Sequence, residues 1–464
     1  MEDITEIMVE EYLKDKLPQV DNFNSNAILN EMGITKDKGE YVLDHNKFSK
    51  YMRKYINVVY QNNRSELAIY NYSQKKYEIN YVNVLLEKIV KFFLSYVKEL
   101  WTPKWEEVII KTLKRDISTV VTNFDNGDYM NLIDGILDLK DFELKPHSPD
   151  YYTTIQLPIA YHNSVETKYF DKFLDDITCS DKDLKNVLQE IVGYCLTNST
   201  CAEKAFFFVG NGCNGKSVLA KIIQELVGQG NYSNTPLSAL GGNFGLASLI
   251  GSNVNIAAEN GNGKINSEMF KAVVSGDTVE INRKYREAIS MTLHTKLIFL
   301  FNELPENADL TYGFYRKIVI FPFNRTFKGE EIDVEMFNKL KSEIAGIFQW
   351  AIEGLKRLKD NNYVFSSSLA IDKCLDNYKQ EQNPVIDFFE SCFSLGNNKQ
   401  IKRSDIYNCY QKYCCDNSYE VLQCQKFWKM LKAYWADKEY LFRTKKIKGY
   451  EYFVGFDFKS RKDS

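Results

Sequence analysis

The stretch Phe206–Ser217, FFFVGNGCNGKS, joins an apolar run to a glycine-rich turn, and the turn to a lysine and a hydroxyl. Ala205–Val209 is short and continuously apolar, the pattern of a strand buried on both faces of a parallel sheet. Gly210, Gly215, Lys216 and Ser217 meet the spacing G-x-x-x-x-G-K-[ST]. Beyond them Val218, Leu219, Ile222, Ile223 and Leu226 recur at a helical period, and Gly228 ends the run. Strand, loop and helix in that order make an anion cradle. Glycines let backbone N–H groups turn inward, and the helix N-terminus adds partial positive charge. The expected polyphosphate site is therefore Gly210, Asn211, Gly212, Cys213, Asn214, Gly215, Lys216, Ser217 and Val218. With ATP bound, Lys216 is expected on the β- and γ-phosphates and the Ser217 hydroxyl on Mg²⁺.

Further runs extend the pattern. Ser252–Asn260, SNVNIAAEN, predicts a second strand ending in Glu259, an acid able to polarise water or hold Mg²⁺ through water. Leu297–Phe301 predicts a third, with Asn302 at its C-terminal end, where ligands of such sheets sit. Taken singly, each residue is equally an exposed acid or a turn former; the ordered trio of loop, Glu259 and Asn302 is more specific. Arg316 and Lys317 precede a fourth apolar strand. An arginine there can complete a neighbouring subunit's site, or simply flank a strand. In Thr278–Lys296, TVEINRKYREAISMTLHTK, period-2 alternation leads into Arg283-Lys284-Tyr285-Arg286 and back out. That predicts a β-hairpin with a cationic, aromatic-bearing tip, either a nucleic-acid contact or an ordinary solvated turn.

A length of 464 residues with 44% hydrophobic composition supports a sizeable core and two to four domains. The net charge of −3 excludes a polycation, so any nucleic-acid surface must be local. Ten irregularly spaced cysteines and four histidines (His45, His147, His162, His294) offer no zinc site and suggest reduced thiols. Met1–Leu17 lacks the pattern of a signal peptide, and no apolar run approaches the roughly 18 residues of a membrane helix. The expectation is a soluble, intracellular protein.

Segment 78–100 and segment 184–196 read as helices, 117–165 as short strands, and 327–380 as helical. Asn383-Pro384 marks a boundary. Segment 384–464 carries 15 Lys and Arg against 10 Asp and Glu. Helices at 385–393, 404–415 and 422–435, then strands at 440–446 and 450–457, predict a winged helix. On its third helix Cys424, Trp428, Leu431 and Trp435 form the expected buried stripe, leaving Lys426, Lys429 and Lys432 outward. The wing adds Arg443, Lys445, Lys446 and Lys448. This surface suits duplex DNA; a protein-docking winged helix is the other reading. Near the N-terminus Asp37, Glu40 and Asp44 are close in sequence, yet no strand is expected to frame them as a metal pair.

The segments GNGCNGKS, NIAAEN, SGDTVEINRKY, LIFLFNELP and FYRKIVIFPF, with NLIDGILDLKDFELKPHSPDY upstream, resemble superfamily III helicases. Among these the chain is most similar to the phage/plasmid primase-helicase (poxvirus primase-helicase-like) family, and within it to replication initiators of bacterial chromosomal or pathogenicity islands. The resemblance covers roughly residues 115 to 330. It implies an α/β fold with an AAA+ P-loop ATPase core, a mixed N-terminal region and a C-terminal winged-helix domain. Together with the pattern read above, the divisions expected are 1–110, read as non-catalytic for want of framed acids although relatives often carry a primase there, a pre-motor domain 111–195, a motor 196–330, a helical lid or linker 331–383 and the DNA-binding 384–464. It implies an ATP- and Mg²⁺-dependent replicative DNA helicase and initiator in the bacterial cytosol, with no membrane partner and forming a ring, expected to be a homo-hexamer. Single-stranded DNA would pass the hairpin residues Arg283, Lys284 and Arg286 in the channel, and duplex origin DNA would meet the C-terminal domain. Lys216 and Ser217 fall on Walker A, Glu259 on Walker B, Asn302 on sensor 1 and Arg316 on the arginine finger. Two departures stand out: Asn260 follows Glu259 where relatives have a second acid, leaving Glu268 as a possible helper, and Lys317 follows Arg316 where relatives often have arginine. Guanidinium grips phosphate bidentately, which favours Arg316. The alternative is a nucleotide-gated DNA-binding switch or scaffold that unwinds nothing.

Overall fold

The computed structural model describes residues 9, 26–62, 66–79, 82–96, 100–117, 119–161, 166–259, 265–306, 309, 311–383, 385–417, 419–440 and 442–459. Most of Met1–Leu17, with His162, Asn260 and Pro384, lies outside the described residues.

The chain is a mixed α/β protein built around one parallel sheet. Its strands, in chain order, are β1 (Ala205–Val209), β2 (Tyr232–Ser233), β3 (Val254–Glu259), β6 (Lys296–Phe301) and β7 (Ile318–Pro322). Between β3 and β6 the chain makes a separate antiparallel hairpin, β4 (Thr278–Arg283) and β5 (Arg286–Thr292). The spatial order is β2-β3-β6-β1-β7, which puts the strand of the glycine loop inside the sheet.

Both faces of the sheet are covered, which explains the unbroken apolar runs. Phe206 and Phe208 join one core with Ile256, Ile298 and Phe321. Ala205 and Phe207 point the other way, into a core with Ala257, Phe299 and Ile320. The alternation is the period-2 geometry of a strand. The first core also holds α1 (Lys168–Ile177), α2 (Lys182–Cys195), α3 (Lys216–Val227) and α5 (Ile344–Asp360); the second holds α4 (Ser267–Ser275). Helices α2 and α5 cross at glycines. A Cβ on Gly193 would lie 2.3 Å from the Ala351 carbonyl oxygen, and one on Gly354 2.3 Å from that of Gln189. Buried Glu190 ties the crossing by accepting from Arg357 at 2.6 Å and from Ser366. Residues on both sides of segment 196–330 thus share its core.

The N-terminal unit extends past the expected limit of residue 110. Helix Pro103–Asp116 spans that position, started by Thr102, whose hydroxyl accepts from the Trp105 N–H. Strand Val120–Val121 then completes a four-stranded sheet with Val58–Gln61, Glu66–Asn71 and Lys76–Glu78. A separate hairpin, Ile34–Asp37 with Glu40–Leu43, corrects the expectation that no strand frames the early acids. Asp37 and Glu40 face each other across it, while Asp44 caps the next helix by accepting from the Asn46 and Lys47 N–H groups. No group of three or more metal-ligating side chains occurs among the described residues.

The C-terminal unit has helices Val385–Cys392, Arg403–Asp416 and Cys424–Asp437 and strands Arg443–Ile447 and Tyr450–Phe458. An additional strand, Phe393–Lys402, pairs with Tyr450–Phe458 to give a three-stranded sheet. Phe389, Trp428, Trp435, Phe453 and Phe456 fill its core. Cys424 is exposed, a correction to the expected stripe; Phe427, Leu431 and Tyr434 are buried beside the two tryptophans. No helix among the described residues is long and apolar enough to cross a membrane.

Candidate nucleotide and nucleic-acid site

The glycine loop leaves β1 at the C-terminal edge of the sheet and enters α3. Gly212, Cys213 and Gly215 all have positive φ, at +83°, +44° and +88°. For Cys213 this is a strained conformation that persists only where neighbours hold it, and its carbonyl accepts from the Phe327 N–H at 2.7 Å. Gly215 is doubly required, because a Cβ there would also lie 2.6 Å from Ile177 Cγ2 on α1.

Lys216 is 5% exposed, and its ammonium donates to the Gly210 carbonyl. Burial lowers its pKa, as expected for a cation waiting on an anion. Asn214 Nδ2 is buried and has no hydrogen-bond partner. An orphaned donor and a partly desolvated ammonium in one loop fit a polyanion such as the phosphates of ATP. Ser217 lies exposed in the first turn of α3. With no cage of acids among the described residues, a Mg²⁺ here would be held by Ser217, phosphate oxygens and water.

Register brings the expected trio together. Val209 pairs with Phe301, and Phe301 with Glu259, so the ends of β1, β6 and β3 lie side by side. At the usual spacing of strands Glu259 is about 10 Å across from the loop strand, with Asn302, exposed, just past Phe301 between them. Glu259 is partly buried, which raises its pKa; the Leu237 N–H it accepts from pulls the other way. Glu268 is exposed in the first turn of α4. Beside Gly210 lies a recess of about 560 Å³ bordered by Glu303, Asn324, Asn377 and Glu381. Its carboxylates do not suit phosphate. Sequence reading missed it because its walls come from four separate segments of the chain, the loop at Gly210, Glu303–Leu304, Ile320–Thr326 and Cys374–Glu381.

Arg316 and Lys317 behave differently. Lys317 is 4% exposed and held by Glu203 at 2.8 Å and by the Ser275 hydroxyl. The Arg316 side chain is 49% exposed, 3.5 Å from Glu203. Both precede β7, whose Ile318 pairs with Ala205 at the start of β1. Arg316 therefore sits at the opposite edge from its own loop, the length of a five-residue strand away, about 15–20 Å.

The hairpin forms as its alternation predicts, with Ile281 opposite Ile289. Its tip is Lys284 over the ring of Tyr285, which is 93% exposed. Arg283 and Arg286 are engaged within the chain, a contact the sequence did not indicate. Both donate to one oxygen of Glu66 in the N-terminal sheet, at 3.0 and 3.1 Å, and the Arg283 side chain is only 13% exposed. In the C-terminal unit Lys426, Lys429 and Lys432 are all exposed on one helix, as are Arg443, Lys445, Lys446 and Lys448 on the strand and turn beside it.

Three segments match family models. Residues 107–179 match "D5 N terminal like", 208–316 match "Family of unknown function (DUF5906)", and 380–462 match "Poxvirus D5 protein-like". A protein of Acanthamoeba polyphaga mimivirus named "Putative helicase L207/L206" is 24% identical over 221 residues, 44% of this chain; the chain spans 23% of that relative's length. Among solved structures, the A form apo structure of the NrS-1 C terminal region (305–718) superposes with a TM-score of 0.50 at 12% identity, covering 88% of this chain and 98% of the other. A second structure of that region has a TM-score of 0.48, also at 12% identity, over 88% and 97%. At this identity the structural likeness concerns fold alone. The D5-type segments and the helicase-named relative together support a primase-helicase-like affiliation.

Proposed function

We propose that this chain is an ATP-driven DNA helicase of superfamily III, an AAA+ P-loop motor that acts in DNA replication as a ring, expected to be a hexamer. The observation that carries the reading is the alignment, along one edge of one sheet, of the glycine loop with Glu259 and Asn302. ATP would lie with its phosphates in the loop, held by inward N–H groups and by Lys216, with Ser217 as the protein ligand of Mg²⁺. Mg²⁺ supplies charge neutralisation of the phosphates when bound. Glu259 takes the proton of the attacking water and Asn302 orients that water. Arg316 of one protomer meets the loop of the next, a role its distance from its own loop supports. The hairpin, carrying Lys284 and Tyr285 at its tip, moves single-stranded DNA, and the C-terminal unit, read as a winged helix, binds duplex at the origin.

The test is DNA-stimulated ATP hydrolysis measured together with displacement of a forked duplex, in wild type and in Lys216→Ala. Both activities are expected in wild type and neither in the variant. A protein that binds ATP and DNA but displaces nothing would be a nucleotide-gated switch, and the motor reading would fail.

A further inference from the structure

A cleft of about 470 Å³ opens between the hairpin and the N-terminal sheet. Lys76 and Glu66 border it from the N-terminal side, and Arg283, Lys284 and Arg286 from the hairpin. Gly230, Asn231, Ile250 and Gly251 also line it. Four cations face two carboxylates, Glu66 and Glu78, and burial pushes the Glu78 carboxyl up toward its neutral form. Two guanidiniums converging on a single carboxylate oxygen is the grip arginines use on a phosphate oxygen.

We propose that Glu66 stands in for a backbone phosphate on Arg283 and Arg286, and that this cleft is the path of a single DNA strand past the N-terminal unit, with Lys76 as that unit's own phosphate contact. The proposal rests on the hairpin binding single strands, as in the function proposed above. It gives the N-terminal unit a role: its carboxylate holds the hairpin until polyanion displaces it, and its lysine then shares the strand. The Arg286 side chain is 57% exposed, so polyanion can reach the cluster there, and charge exchange of this kind depends on salt.

The experiment is anisotropy of a labelled oligo-dT with the full chain at several salt concentrations, in wild type, Glu66→Gln, Lys76→Ala and Arg283→Ala. Glu66→Gln keeps the side-chain shape and removes the competing charge, so it should bind about five-fold tighter at low salt. Lys76→Ala should bind more weakly and flatten the slope of log K against log salt by about 0.7, one phosphate contact. Arg283→Ala should also weaken binding. If Glu66→Gln gains nothing while Arg283→Ala loses affinity, Glu66 is a structural clamp and the stand-in is wrong. An unchanged slope in Lys76→Ala removes the cleft as the path. Wild type that binds no single strand at low salt overturns the hairpin reading above, and this proposal with it.

Discussion

At the scale of single residues, the proposed role of Glu259 as base rests on where it ends its strand. Burial raises its pKa from the ordinary carboxylate value, and the Leu237 N–H opposes that only in part. A base works deprotonated, so a raised pKa moves the loss of activity on acidification to higher pH than a free glutamate would show. The acid limb of kcat for ATP hydrolysis is expected above the normal carboxylate range. Glu259→Gln should keep nucleotide binding while hydrolysis drops by about 10²–10⁴-fold. A limb at the ordinary value, or a variant that still turns over, removes Glu259 from that role. Lys216, Glu259 and Asn302 could be placed from sequence because each closes or follows an apolar strand. Arg283 could not, since the partner that covers it, Glu66, lies 217 residues away. Guanidinium chemistry favours Arg316 over Lys317 from sequence, but that Lys317 is buried depends on Glu203 and the Ser275 hydroxyl, which meet its ammonium.

At the scale of elements, the sequence placed four of the five strands of the central sheet, because burial on both faces leaves mostly apolar runs, and it missed β2 (Tyr232–Ser233), which is two residues long and polar at Ser233. It failed at Phe393–Lys402, FSLGNNKQIK, whose Gly-Asn-Asn centre reads as a turn. The ladder to Tyr450–Phe458 runs on either side of that centre and skips it, with Leu395 opposite Phe456 and Gln400 opposite Val454. Cys424 was misplaced for a related reason: it lies in the first turn of its helix, beyond the reach of the core that covers Phe427 and Trp428. The exposed row Lys426, Lys429 and Lys432 makes this helix testable as a duplex-binding element. Replacing all three with Ala should leave stability within about 0.5 kcal/mol per site. Duplex affinity should fall, and the salt slope should flatten by up to about 2.7, three phosphate contacts. An unaltered slope in a filter-binding titration would point instead to a protein-docking surface.

At the scale of the whole molecule, the placement of Arg316 makes the proposed motor incomplete as a single copy. Its guanidinium lies on the edge of the sheet opposite its own glycine loop, while buried Lys317 anchors the start of β7. A head-to-tail ring sets that edge of one protomer against the loop edge of the next. Lys216→Ala and Arg316→Ala should each be close to inactive alone, for different reasons: one lacks the loop cation, the other the neighbour's transition-state charge. Mixed in equal amounts before ring assembly, they should regain activity. Where an Arg316→Ala protomer supplies the loop and a Lys216→Ala protomer the guanidinium, every needed group is present. Random mixing makes about a quarter of the interfaces of this kind, so ATP hydrolysis should return to about a quarter of wild type if interfaces fire independently. Lys317→Ala should instead lower thermal stability, because it leaves Ser275 and Glu203 without their buried partner. If the mixture stays as inactive as its components while rings form, Arg316 does not act across the interface, and a single protomer must hold all of its own chemistry.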